Sequence, residues 1–114
     1  MKKLYDGMIG LAIGDALGVP VEFKTRQEIA ENPVREMREY GTHHQARGVW
    51  SDDTSLTLAL VESIVKCSGI DYKDIMERFS AWLLYGDYTA AGEVFDVGNA
   101  TGRAIMNYGP GTAP

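Results

Sequence analysis

One cysteine in 114 residues, Cys67, rules out an internal disulfide and gives no sign of an oxidising compartment. Basic residues are also scarce: 11 Lys and Arg stand against 16 Asp and Glu, a formal net charge of −5. A chain short of clustered cations is a poor partner for phosphate backbones, so nucleic acid is not expected as a ligand. There is no internal repeat and no low-complexity block. No stretch is expected to supply the ~20 apolar residues that a membrane span needs. The opening Met1-Lys2-Lys3 and the apolar Met8-Ile9-Gly10-Leu11-Ala12-Ile13 imitate a secretory signal, but Asp6 and Asp15 interrupt the pattern. A cytoplasmic protein without membrane contact is the expectation. The length allows a single domain over 1–114 with a modest core, and its 45% apolar and 24% charged residues are those of an ordinary globular chain.

No alternating strand pattern is found, and the reading is all-α. From Lys3 to about Leu17, Leu4, Met8, Leu11 and Asp15 share one helical face, which puts a carboxylate on an apolar stripe where it needs a partner. The row Gly10, Gly14, Gly18 would admit a close neighbouring backbone, and Pro20 should end the helix. Thr25 to Asn32 reads as a short helix with a Thr25–Glu28 capping box, stopped by Asn32-Pro33. The adjacent His43 and His44 cannot share one face of an element and are assigned to a solvated loop. Asp53 to Ser68 is apolar nearly all round, with a polar strip of Ser55, Glu62 and Lys66, and reads as a central buried helix stopped by Gly69, with Cys67 packed inside. Asp71 caps a third helix whose stripe is Tyr72, Ile75, Met76, Phe79, Trp82 and Leu83, with Asp74 and Arg78 paired on its outer side. An irregular segment from Gly86 to Gly98 precedes a last helix over 99–108 and a turn-forming tail, Gly109 to Pro114.

The tetrapeptide Ser51-Asp52-Asp53-Thr54 is the densest concentration of chemistry. Two carboxylates flanked by two hydroxyls are hard oxygen donors of the kind that Mg²⁺ and Mn²⁺ take. The same residues are favoured at any helix N-terminus, where their oxygens accept orphan N–H groups and their charge suits the dipole. Spacing by itself leaves both readings open.

Three segments in this order, Gly14-Asp15-Ala16-Leu17-Gly18-Val19-Pro20-Val21-Glu22-Phe23, Trp50-Ser51-Asp52-Asp53-Thr54, and Phe95-Asp96-Val97-Gly98-Asn99-Ala100-Thr101, together resemble the ADP-ribosylglycohydrolase family, which includes the dinitrogenase reductase-activating glycohydrolases. The resemblance runs from about Tyr5 to the end of the chain. It implies a compact orthogonal helical bundle with a binuclear Mg²⁺ or Mn²⁺ centre in a cleft for ADP-ribose. It further implies metal ligands at Ser51, where the family often has Thr, and at Asp52 and Asp53. Glu22 would be a catalytic or gating carboxylate, and Asp96 a second catalytic group beside the substrate ribose, with Gly98 and Asn99 contacting the ligand. The implied partner is an ADP-ribosylated protein or a small ADP-ribosyl conjugate.

A second acidic motif, Asp-x-Asp-Thr or Asp-x-Asp-Asp, stands in the C-terminal half of family members and is missing here. The chain is therefore expected to be an N-terminal portion with weak metal affinity and little or no activity by itself. The alternative is a non-catalytic helical module acting through association. Self-association through uncovered apolar surface is expected under either reading.

Overall fold

The computed structural model describes residues 1–108, and the tail from Gly109 to Pro114 lies outside the described residues. The described residues form five α-helices: α1 (Lys2–Gly18), α2 (Arg26–Glu31), α3 (Asp52–Cys67), α4 (Tyr72–Tyr85) and α5 (Asn99–Met106). Two 3₁₀ turns, Val19–Val21 and Gly41–His43, complete the regular structure. No strand occurs among the described residues; the only pairing is an isolated bridge between Tyr40 and Gln45. The chain divides into two compact units, Met1–Thr54 and Ser55–Pro114, and α3 begins in the first and runs on into the second.

In the first unit, Pro20 ends α1 as expected, but helical winding continues through it as the first 3₁₀ turn. Proline lacks only the N–H, which an opening turn does not use, so it is tolerated early in such a turn. Ala16, Val19, Pro20 and Val49 are buried, whereas most of α1 is exposed. Lys2–Val21 is 20 residues with a mean hydropathy of 1.3, so by length and composition a stretch apolar enough to cross a membrane does exist, contrary to the sequence expectation. The close backbone approach expected at the glycine row is absent as well: a Cβ built on Gly7, Gly10, Gly14 or Gly18 meets nothing within 4 Å. The capping box of α2 forms as read, with Thr25 and Glu28 exchanging side-chain to backbone hydrogen bonds of 2.7 and 3.2 Å.

In the second unit, the burial of α3 is narrower than its composition suggested. Ser55, Ala59 and Ser63, four residues apart, are fully buried, while Val65 and Cys67 are exposed. A stripe of small residues packs closest, so Ser55 belongs to the core and not to a polar strip, and the thiol is not packed inside. Ser55 satisfies its hydroxyl on the Tyr88 carbonyl at 3.0 Å. The helix stops one residue earlier than expected: Ser68 takes the left-handed conformation (φ 55°) and the Gly69 N–H returns to the Ile64 carbonyl at 3.1 Å. That bond closes a Schellman-type end with serine where glycine is usual.

Asp71 caps α4 by accepting from the Asp74 N–H at 3.0 Å, and Ile75 and Trp82 form its buried face. The Asp74–Arg78 pair exists at 2.7 Å, but it is half-buried rather than outward. Arg78 goes on to Glu62 at 3.1 Å and to the Tyr88 hydroxyl at 3.0 Å, and that hydroxyl donates to Glu62. This chain of groups, together with Thr89 on the Gly86 carbonyl at 2.6 Å, ties down the start of the irregular segment. Gly86 needs its missing side chain there: it sits at φ 74°, and a Cβ would overlap the Gly92 carbonyl. α5 packs against α4 and buries Ile105.

Candidate active site

Asp15 is the anchor of the first unit's acidic cluster. Its Oδ2 accepts from the Ser51 N–H at 2.9 Å, the Thr54 N–H at 3.2 Å and the Thr54 hydroxyl at 2.6 Å, while Oδ1 accepts from the Ser51 hydroxyl at 2.6 Å. The carboxylate that looked costly on the stripe of α1 is thus the cap of α3, supplied from far away in sequence. A carboxylate can only accept, and here four donors converge on it, three on Oδ2 and one on Oδ1. Thr54 is buried by this arrangement and is spent on it.

The anchor leaves Ser51 and Asp53 at the rim of a cleft, and Asp52 is not among the residues that line it. A cavity of about 400 Å³ is lined by Leu11, Gly14, Asp15, Gly18, Val19, Val21, Glu22, Ser51 and Asp53. The structure therefore brings Glu22, Ser51 and Asp53 to one cavity. Asp52 precedes Asp53 in the first turn of α3 and is half-buried. Burial first, then the neighbouring charge of Asp53, holds the Asp52 carboxyl above the usual aspartate value of 3.8. Such a carboxylate gains from any nearby positive charge.

The donor chemistry fits a divalent ion. Ser51, Asp52, Asp53 and Glu22 offer oxygen only, and the Ser51 hydroxyl gives its proton to Asp15 and accepts from the Asp53 N–H at 3.4 Å, which leaves one lone pair for another partner. Asp15, which accepts three of these bonds on Oδ2 and one on Oδ1, supports the start of α3.

Glu22 follows the first 3₁₀ turn and sits against the second. Its Oε2 lies 3.2 Å from His43 Nε2, and its carbonyl accepts from the Thr42 hydroxyl at 2.7 Å. His43 is consequently not a solvated loop residue: its side chain is 11% exposed, while its neighbour His44 is exposed. The sequence held no periodic signal for this contact, because it joins two separate short turns with the partners 21 residues apart.

Asp96, Gly98 and Asn99 belong to the second unit. Asp96 is exposed in the irregular segment, and Gly98 is the N-cap residue of α5 with φ −62° and ψ 142°. Gly98 has no side chain with which to cap this helix start, and Asn99 opens its first turn in solvent.

The sequence profile described as ADP-ribosylglycohydrolase matches residues 1–114. An ADP-ribosylarginine hydrolase, Tri1 of Serratia proteamaculans, is 34% identical over 108 residues, covering 95% of this chain and 29% of its own length. The Tri1 protein of Pseudomonas putida is 35% identical over 99% of this chain and 33% of its own length. An ADP-ribosyl-[dinitrogen reductase] glycohydrolase of Rhodospirillum rubrum is 38% identical over 98% of this chain and 37% of its own. The chain thus spans about a third of the length of the curated relatives it matches.

Proposed function

Because the chain belongs to the ADP-ribosylglycohydrolase family, we propose that it carries the metal-binding part of a hydrolase that removes ADP-ribose from a modified side chain or a small ADP-ribosyl conjugate. The observation that carries this reading is the cleft in which the Asp15-anchored Ser51 and Asp53 face the same space as Glu22. Ser51, Asp52 and Asp53 would hold Mg²⁺ or Mn²⁺. When bound, a divalent ion supplies positive charge that polarises a substrate oxygen and acidifies water.

The reaction breaks the bond between the ribose anomeric carbon and the modified group, with water adding to that carbon. Glu22, held by His43 and Thr42, would orient the water, accept its proton and return it to the departing side-chain group. Asp96 would stabilise positive charge that develops on the ribose as the bond breaks, as carboxylates do in glycoside hydrolysis generally. Gly98 and Asn99, at the start of α5, would offer N–H and amide groups to the ligand. An arginine-linked substrate is the natural first choice, since relatives named for ADP-ribosylarginine are matched over nearly the whole chain.

Isothermal titration with Mn²⁺ tests the reading directly. The 114-residue chain is expected to bind Mn²⁺ weakly, because its own ligand set is short of two roughly six-coordinate ions, and Asp52→Asn or Asp53→Asn should lower that affinity at least about tenfold. Variants that bind Mn²⁺ as the parent does, and differ only in thermal stability, would reduce the tetrapeptide to a helix cap. A second reading, a non-catalytic module that works by association, is favoured by the exposed apolar residues of α1. It would stand if metal affinity is absent while a defined oligomer forms.

A further inference from the structure

Glu22 stands in a short turn that does little to hold it. Its backbone is extended (φ −56°, ψ 143°), Phe23 after it is left-handed (φ 67°), and the Lys24 N–H closes back on the Val21 carbonyl at 3.1 Å. A glutamate side chain has several rotatable bonds, so a carboxylate that must meet a reacting atom has to be fixed from outside its own loop.

The segment Tyr40–Gln45 does this. The Tyr40 N–H bonds to the Gln45 carbonyl at 2.6 Å, and the Gln45 amide bonds to the His43 carbonyl at 3.0 Å, so the turn is closed on itself. From it the Thr42 hydroxyl reaches the Glu22 carbonyl at 2.7 Å and lies 3.3 Å from the Pro20 carbonyl. His43 Nε2 reaches the Glu22 carboxylate at 3.2 Å, and its ring stands edge-on to Phe23 with centroids 5.9 Å apart. Gly41, at φ 57°, brings the two turns into contact: a Cβ there would overlap the Pro20 carbonyl. Backbone and carboxylate of one glutamate are therefore gripped by consecutive residues of a second turn.

We propose that this turn is a clamp on Glu22, in which His43 is the positioning residue that aims the carboxylate into the cleft and Thr42 holds the backbone beneath it. The proposal rests on the catalytic reading of Glu22. It assigns the Nε2–H form to His43, since an ionised carboxylate can only accept.

The chain has two histidines, which makes the test self-controlled. In ¹H–¹⁵N spectra at low temperature, the His43 imidazole proton should be protected enough to be seen, the exposed His44 proton should not, and Glu22→Ala should abolish the His43 signal. A His43 proton that is invisible in the parent, or that survives Glu22→Ala, overturns the clamp. In an ADP-ribosylarginine hydrolysis assay, His43→Ala should lower kcat about tenfold with KM within about twofold, and His43→Gln, whose amide can still donate, should recover most of the loss. Unchanged kcat in His43→Ala also overturns it. If the imidazole signals behave as expected while Glu22→Ala hydrolyses the substrate as fast as the parent does, the catalytic reading of Glu22 fails and the clamp remains.

Discussion

Asp15 gathers four hydrogen bonds on one side chain, because two hydroxyls and two N–H groups all give it their protons. Asp15→Ala should cost about 2–4 kcal/mol in urea unfolding, since it orphans donors that are themselves shielded from water. Asp15→Asn, which keeps one acceptor oxygen, should cost less. Equal losses would show that the carboxylate's charge, and not its acceptor geometry, is what α3 needs. Asp52 behaves oppositely. Its carboxyl is held above the usual value of 3.8, so the folded chain binds a proton more readily than the unfolded one. Stability contributed by this group is therefore lost as pH rises from 3.8 through the raised value. In metal-free buffer, Asp52→Asn should melt higher than the parent above that window and at the same temperature well below it. Circular-dichroism melts across the acidic to neutral range check this, and a variant that melts lower at neutral pH would contradict it.

At the level of the element, helix ends decide more than helix interiors. The capping box of α2 joins Thr25 and Glu28 in both directions, and its backbone donor holds the Glu28 carboxyl below its ordinary value. α3 ends on a left-handed serine, Ser68, at φ 55°. Glycine adopts that conformation without penalty, so Ser68→Gly should stabilise the chain by about 0.5–1 kcal/mol in chemical denaturation. A loss of stability would mean that the Ser68 side chain contributes more than its backbone costs. The loop after α4 is held differently, through Tyr88, Glu62, Arg78 and Asp74. Within that network the Tyr88 hydroxyl is both donor and acceptor, and burial followed by its bond to Glu62 pushes its pKa up.

For the molecule as a whole, the exposed side of α1 is the dominant feature. Ile9 and Ile13, one helical turn apart, are 44% and 47% exposed, and Leu4 and Tyr5 lie bare further along. Small soluble chains rarely leave such a face uncovered, so association is the expected behaviour. Sedimentation velocity over a concentration series should show a mass rising above 12.5 kDa, and Ile9→Glu combined with Ile13→Glu should return it to the monomer. A parent chain that stays monomeric at every concentration would remove the case for this surface. The family relationship bears on the same face, because the relatives are about three times as long and have more chain with which to cover it.

Helices with strong periodic or capping signals were legible from the residues: α2 with its box, α4 with Asp71 and its aromatic stripe, and the start of α5 at Asn99. The three motif segments, together with the family's known pattern, pointed to Glu22, Ser51, Asp52 and Asp53, and those residues are local features of one turn and one helix start. What local patterns cannot carry is a bond between distant segments. That Asp15 caps α3, that His43 faces Glu22 while His44 faces solvent, and that Ser55 belongs to the core are all long-range outcomes. The sequence by itself determined the helical periodicity, the caps of α2 and α4 and the oxygen-rich chemistry at the head of α3, because each depends on neighbours within about four residues. Only the tertiary structure decided which polar groups partner across the chain, because burial obliges each donor to find an acceptor wherever the fold happens to bring one.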